Sequence, residues 1–373
     1  MKIAVLKERY TNEKRVAITP DIVKRFIDDN FNICVQSNAG LNAGFSDEDY
    51  AHAGAKISNV PLEIVADADI IVKIHPEPAS QECGELEFAK KGAIIIGLLN
   101  PTNNTSLLQH YATKGISSLA LELLPRISKA QSMDVLSSQS NLAGYRSVIE
   151  GAHHYGRAFP MMITAAGTIL AAKVLVLGAG VAGLQAIATA KRLGAVVYAY
   201  DVRSATKEQA QSLGAQFINT IDQDLEGAAG YANEMSDQHK AAQAQLLEQY
   251  MTKVDIVITT AQIPGKPAPI LITKKMIAKM RRGSVIVDLA AINGGNTELT
   301  KIDQVVECGG VKIVGYGNIA SLIAGDSSKL YAKNVYNLIK HIFSNNKFDA
   351  ADDIVKPMLL THKGKVLYGL QNR

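Results

Sequence analysis

The chain has 373 residues, of which 47% are apolar and 20% charged, with a formal net charge of +4 at pH 7. That length predicts about two domains, each with ample core, and an ordinary globular protein. The charge is too small and too evenly spread to mark a nucleic-acid partner or an anionic membrane surface.

The opening segment, Met1-Lys2-Ile3-Ala4-Val5-Leu6-Lys7-Glu8-Arg9, reaches charge after four apolar residues. It is too short for a signal peptide and reads as a first β-strand, Ile3–Leu6. Pro20 opens a helical pattern through Val23, Phe26 and Ile27. Ile33–Gln36, Ile70–Ile74, Ala93–Leu98 and Ser117–Leu121 read as strands, and Thr105–Lys114 as a helix between them. Such alternation predicts a mostly parallel sheet with helices on both faces.

From Gln139 to about Arg157, Leu142, Tyr145, Ile149 and Ala152 recur at spacings of three and four, the pattern of a connecting helix. Met161–Leu184 is apolar but interrupted by Lys173 and several glycines, so it reads as two short elements and a turn, not a membrane span. A second βα series follows: Val174–Leu177, Val196–Tyr200, Ile256–Thr259, Val285–Leu289 and Ile313–Gly315. A helix over Lys329–Phe343 is expected to return the chain to the first domain, and the tail from Ser344 reads as irregular. The fold class expected is therefore α/β, with two doubly wound Rossmann-like domains joined by long helices. The expected boundaries are 1–137, completed by 327–373, and 138–326. An insertion between Asp222 and Lys253 carries Gly227 and Gly230 and reads as a surface loop or a mobile flap over a cofactor.

The strongest motif is Lys173-Val-Leu-Val-Leu-Gly178-Ala-Gly180-Val181-Ala-Gly183. Gly178 permits a tight turn, Gly180 close approach of a pyrophosphate, and Gly183 close packing of helix on strand. The helix that follows offers free N–H groups and the positive end of its dipole to phosphates. Asp201 ends the next strand at about the expected spacing of roughly 20 residues. Its carboxylate can accept from both ribose hydroxyls and repels a 2′-phosphate, which favours NAD. Arg203 pulls the other way, since an arginine there can hold that phosphate.

Other chemistry is absent. Cys34, Cys83 and Cys308 stand far apart, which fits a reducing compartment and argues against a disulfide framework. There is no HExxH and no His/Cys cluster, so no metal is expected. His153 and His154 are adjacent on a helix and read as pointing apart, solvated or satisfied. No GxSxG elbow is present. A cofactor must carry the chemistry.

Further segments carry a resemblance. The segment Arg126–Arg146, with Gln131, Asp134 and Ser137, together with Phe159–Thr168, Gly178–Arg203, Gly230-Tyr231-Ala232 and Thr259–Pro269, resembles the NAD(H)-binding component of proton-translocating NAD(P) transhydrogenase. The likeness covers nearly the whole chain and weakens after about Phe343. It implies that Arg126, Gln131, Asp134 and Ser137 hold the nicotinamide end. An arginine and an amide can fix a carboxamide, and Asp134 can orient Arg126. It implies adenosine-ribose contacts at Asp201, Val202 and Arg203, a mobile-loop tip at Gly230 and Tyr231, and further cofactor contacts at Gln243, Ala261 and Gln262.

The resemblance also implies direct hydride transfer to NADP(H) on a partner subunit and a proton path in a membrane-spanning partner. It implies a homodimer, peripheral at the cytoplasmic face of the inner membrane, in a chain-split form of the enzyme whose two domains flank a cleft. The related alanine dehydrogenases share Lys7-Glu8 and Glu13–Pro20, and Arg15 and Lys73 match residues that hold a keto acid there. The histidine expected within Gly97–Pro101 and the acid expected near Ala290–Gly295 are missing. Amino-acid oxidation needs such proton-transfer groups, whereas hydride exchange between two nicotinamides does not. A stand-alone dehydrogenase and a non-catalytic NAD-binding module remain the alternatives.

Overall fold

The computed structural model describes residues 1–76, 84–219, 237–263, 266–344 and 347–369. The chain divides into two compact units, one of residues 1–139 with 321–373, the other of residues 140–320.

In the first unit, strands β1 (Lys2–Val5), β2 (Asn32–Gln36), β3 (Lys56–Ser58), β4 (Ile70–Val72), β5 (Ile94–Gly97) and β6 (Ser117–Ala120) pair in parallel, in the order β3-β2-β1-β4-β5-β6. Short unbroken apolar runs such as Ile70-Ile71-Val72 are what a strand covered on both faces requires. Alternate residues serve opposite cores. Ile3 and Val5 pack with Phe26 and Tyr331, whereas Ala4 and Leu6 pack with Leu108 and Tyr111. The strand order reverses between β1 and β4, where a doubly wound sheet opens a crevice at its carboxyl edge.

The second unit begins within the helix Val135–Tyr155, which leads to a small hairpin, β7 (Met162–Thr164) and β8 (Gly167–Ile169), bonded to neither large sheet. Its main sheet contains β9 (Lys173–Leu177), β10 (Val196–Tyr200), β11 (Gln216–Phe217), β12 (Ile256–Thr259), β13 (Val285–Asp288), β14 (Val305–Cys308) and β15 (Val311–Val314). Their order is β11-β10-β9-β12-β13-β15-β14, parallel except for β14. The reversal falls between β9 and β12. The helix Asp237–Met251 covers one face, with Leu247 and Met251 packed on Leu175, Val257 and Ile286. The chain then returns to the first unit through the helix Ala324–Ile342 and ends in β16 (Leu359–His362) and β17 (Lys365–Val366).

The expected α/β class with two doubly wound sheets holds, with three local corrections. The segment after Met161 is a hairpin, a strand and the start of a helix. The tail is not irregular: β16 runs antiparallel to β6 and extends the first sheet. Thr361 is buried there and donates to the Ile116 carbonyl at 2.9 Å, a tie between positions too distant in sequence for periodicity to reveal. His153 and His154 do not point apart, because their rings meet edge to face at 4.9 Å. His154 Nε2 has no hydrogen-bond partner among the described residues, and burial, then the neighbouring His153, lowers its pKa. Among the described residues, no helix is long and apolar enough to cross a membrane.

Candidate functional site

The glycine motif sits at the reversal point of the second sheet. β9 ends at Leu177, Gly178 turns with φ +96°, and the helix Val181–Arg192 begins behind Gly180. The glycines differ in what surrounds them. A Cβ on Gly183 would lie 1.8 Å from the Gly178 carbonyl oxygen, so only glycine lets helix and turn close up. A Cβ on Gly178 would meet Thr260 Oγ1 at 2.4 Å. At Gly180 the nearest atom would be Arg203 Nη2 at 3.8 Å, so this face is open to a ligand. The helix behind it presents its unpaired first-turn N–H groups and the positive end of its dipole. Val181, at the first helical position, is exposed.

Two neighbours that sequence reading missed shape this turn. Thr260 Oγ1 is placed to donate to the carbonyls of Leu177 and Gly178, at 3.2 and 3.0 Å, and so ties the end of β12 to the turn. Gly144, on the helix Val135–Tyr155, lets that helix approach so closely that a Cβ would lie 2.1 Å from the Ala182 carbonyl oxygen. An isolated glycine inside a helical pattern was the available signal.

Asp201, at the end of β10, is buried. Its Oδ2 accepts from Ala179 N–H at 2.7 Å and Arg203 Nη2 at 2.7 Å, and its Oδ1 from Arg203 N–H and Nε, both at 2.9 Å. A carboxylate has about four lone-pair sites, and all are occupied. The opposed readings of Asp201 and Arg203 thus meet in one ion pair. A ribose diol reaches the carboxylate only by displacing one of these bonds, three of which come from Arg203. Val202 is partly buried against the core of the unit.

On the other side of β9, Ala261 and Gln262 follow β12. Gln262 Nε2 donates to the Leu289 carbonyl at 2.9 Å. Gln243 is buried on the helix Asp237–Met251, on the face that carries Leu247 and Met251. Gly230 and Tyr231 lie outside the described residues, as do Gly227 and Cys83.

In the first unit, Arg126 and Gln131 are exposed on the loop that precedes the helix Val135–Tyr155. Asp134 caps that helix: its two oxygens accept from Ser137 N–H at 2.9 Å and Ser137 Oγ at 2.5 Å. Asn334 and Asn337, on the returning helix, donate to the Ser132 carbonyl at 2.8 and 2.9 Å and anchor the loop.

The reversal point of the first sheet is built differently. β1 leads not into glycines but into Glu8, whose Oε1 and Oε2 accept from the N–H groups of Ile74 and His75 beyond β4. Burial raises its pKa. Arg15 meets Glu13 through two nitrogens, Nε at 2.8 Å and Nη2 at 2.6 Å, and donates to Gln139 at 2.8 Å. Lys73 is buried, with Nζ 3.6 Å from Glu85. Among the described residues this reversal point is lined by buried carboxylates and their ion-pair partners, whereas that of the second unit is lined by glycine.

Two doubly wound sheets, one with a glycine turn and an acidic strand end at its reversal point, define the dinucleotide-binding class of α/β proteins. The comparisons narrow this further. Residues 4–143 match the N-terminal domain and residues 147–369 the C-terminal domain of alanine dehydrogenase/PNT, and the chain belongs to that family. It is 54% identical over 368 residues to the first part of NAD(P) transhydrogenase subunit alpha from Rickettsia prowazekii, covering 98% of this chain and 96% of that protein. It is 47% identical over 376 residues to the corresponding Rhodospirillum rubrum protein, covering 99% and 98%. A transhydrogenase structure from Sinorhizobium meliloti matches with a TM-score of 0.87 at 43% identity, covering 99% of this chain and 100% of that one. Alanine dehydrogenase from Staphylococcus epidermidis is more distant, 32% identical over 303 residues.

Proposed function

We propose that this chain is the NAD(H)-binding component of a proton-translocating NAD(P) transhydrogenase. In that reaction a hydride passes directly between NAD(H) held here and NADP(H) held by a partner subunit. The observation that carries this is the open face at Gly180, with a helix N-terminus behind it and the acidic strand end Asp201 beside it, in a chain matching transhydrogenase components end to end. The pyrophosphate is assigned to the Gly178–Gly183 turn and the adenosine ribose to Asp201, Val202 and Arg203. Arg126, Gln131, Asp134 and Ser137 are assigned to the nicotinamide end. Asp134 and Ser137 then act by setting the helix start that bears the loop.

β1 runs into Glu8 and not into a glycine turn, which supports a single dinucleotide site, with NADP(H) on another polypeptide. The relatives named as the first part of subunit alpha support a divided enzyme whose proton path lies in a membrane-spanning partner, with this chain peripheral at the cytoplasmic face. The hairpin β7–β8 supports a homodimer. Ile163 and Leu170 are 75% and 78% exposed, and an apolar two-stranded arm without a sheet is marginal in water unless covered.

Reconstitution tests the reading. The purified chain should bind NADH, and should catalyse reduction of an NAD analogue by NADPH only when the membrane and NADP(H)-binding subunits are added. Turnover of alanine or another small acid by the chain alone, with no transfer in the mixture, would replace it with a dehydrogenase reading.

A further inference from the structure

We propose that Asn296 is a positioning residue that fixes the loop after β12 on the nicotinamide side of the bound cofactor. This rests on the NAD(H) reading above. In the sheet order β10-β9-β12, Asp201 and Ala261 follow strands on opposite sides of the glycine turn. With the adenosine ribose at Asp201 and the pyrophosphate at the turn, the other half of the dinucleotide extends towards β12.

The loop that meets it is held from inside. Asn296 is fully buried. Its Oδ1 accepts from Ala261 N–H at 3.1 Å, and its Nδ2 donates to the carbonyls of Ala261 and Pro269 at 2.9 and 2.8 Å. One amide thus pairs with both backbone groups of Ala261, as a neighbouring strand would, and ties the far end of the loop to the same point. Its own backbone is fastened as well. Asn296 N–H donates to Asp288 Oδ2 at 2.7 Å, and its carbonyl accepts from Leu271 and Ile272 N–H at 2.9 and 3.0 Å. Asp288 is buried and also accepts from Thr259 Oγ1, Ala290 N–H and Thr300 Oγ1. Both amide hydrogens are used, so aspartate cannot replace this side chain: it accepts but does not donate. Asn296 acts on the cofactor through Ala261.

The test uses the full chain reconstituted with its partner subunits. It measures ADP affinity, which reads the adenosine and pyrophosphate half, and the single-turnover rate of hydride transfer from NADPH to an NAD analogue. Asn296→Asp should slow transfer by about tenfold or more, because small displacements of reacting groups are costly, while ADP affinity stays within about twofold. Thr300→Val removes a neighbouring bond to Asp288 and leaves the Ala261 pairing in place, so it should keep the wild-type rate. Wild-type transfer in Asn296→Asp, parallel loss of ADP binding and transfer, or equal slowing by Thr300→Val would each overturn the proposal. If Asn296→Asp fails to fold, Asn296→Ser carries the same comparison. A wild-type chain that binds NADH but transfers no hydride in the mixture would overturn the transhydrogenase reading and this proposal with it.

Discussion

Asp201 and Arg203 form a charge-assisted pair over the entrance to the candidate ribose site, and each restrains the other. Asp201→Ala should weaken NADH binding by about 1.5–3 kcal/mol, roughly 10- to 150-fold in Kd, the usual worth of hydrogen bonds to a charged group. It also frees Arg203 for a 2′-phosphate, so preference for NADH over NADPH should narrow in a titration with both. An unchanged ratio would remove Arg203 from the discrimination. The glycines separate folding from binding. Gly183→Ala places a methyl against the Gly178 carbonyl and should lower stability by at least about 1–3 kcal/mol, the usual cost of overpacking. Gly180→Ala meets no close neighbour and should melt like wild type while binding NADH less tightly. Calorimetry alongside ligand titration distinguishes the two. The motif's spacing made the turn at Gly178 and the close packing at Gly183 legible in sequence, but nothing in it predicted that Arg203 would occupy the carboxylate.

Elements supply what single residues cannot. The helix Val135–Tyr155 packs so closely at Gly144 that it shapes the first turn of the nucleotide-binding helix. Gly144→Ala should push the helices apart and lower Tm by several degrees, on the scale of about 2–4 °C per kcal/mol for a unit of this size. It should also weaken NADH binding although residue 144 touches no ligand; a normal Tm would show that the helix yields freely. Boundaries read from periodicity fell within a few residues for Thr105–Lys114, Val196–Tyr200 and Ile256–Thr259 because those segments are strongly patterned. β16 escaped because its partner β6 lies far back in the chain, and a strand that pairs at long range carries little local signature.

Across the whole molecule, two properties can be measured. In the proposed homodimer the exposed hairpin β7–β8 should lie in the contact. Ile163→Asp with Leu170→Asp should give a monomer by light scattering while leaving NADH affinity nearly intact, whereas an unchanged dimer would move the interface elsewhere. Acid sensitivity should trace partly to Glu13. Burial favours its neutral form, but hydrogen bonds from Arg15 and His75 outweigh burial and hold its pKa well below the ordinary 4.5. A depressed folded value adds stability that is present above the unfolded value and lost as pH falls. The gap in urea midpoint between wild type and Glu13→Gln should be full at neutral pH and close progressively below about pH 4.5. Part of that gap is the cost of leaving Arg15 buried without its partner, about 3–5 kcal/mol for a broken buried pair. A gap independent of pH would exclude Glu13 as the titrating group.

The α/β class, the order of most elements, the glycine turn and its acidic companion were legible in the residues alone. These depend on local periodicity and fixed spacings, which a linear chain displays directly. Only the folded chain shows that Gly144 and Thr260 meet the turn, that Asn296 clamps Ala261, and that Glu8 bridges to the backbone beyond β4 at the first reversal point. Such contacts join residues brought together only when the sheet of each unit has formed. Their chemistry is that of ordinary asparagine, threonine and glutamate, whose meaning comes from what they are buried against.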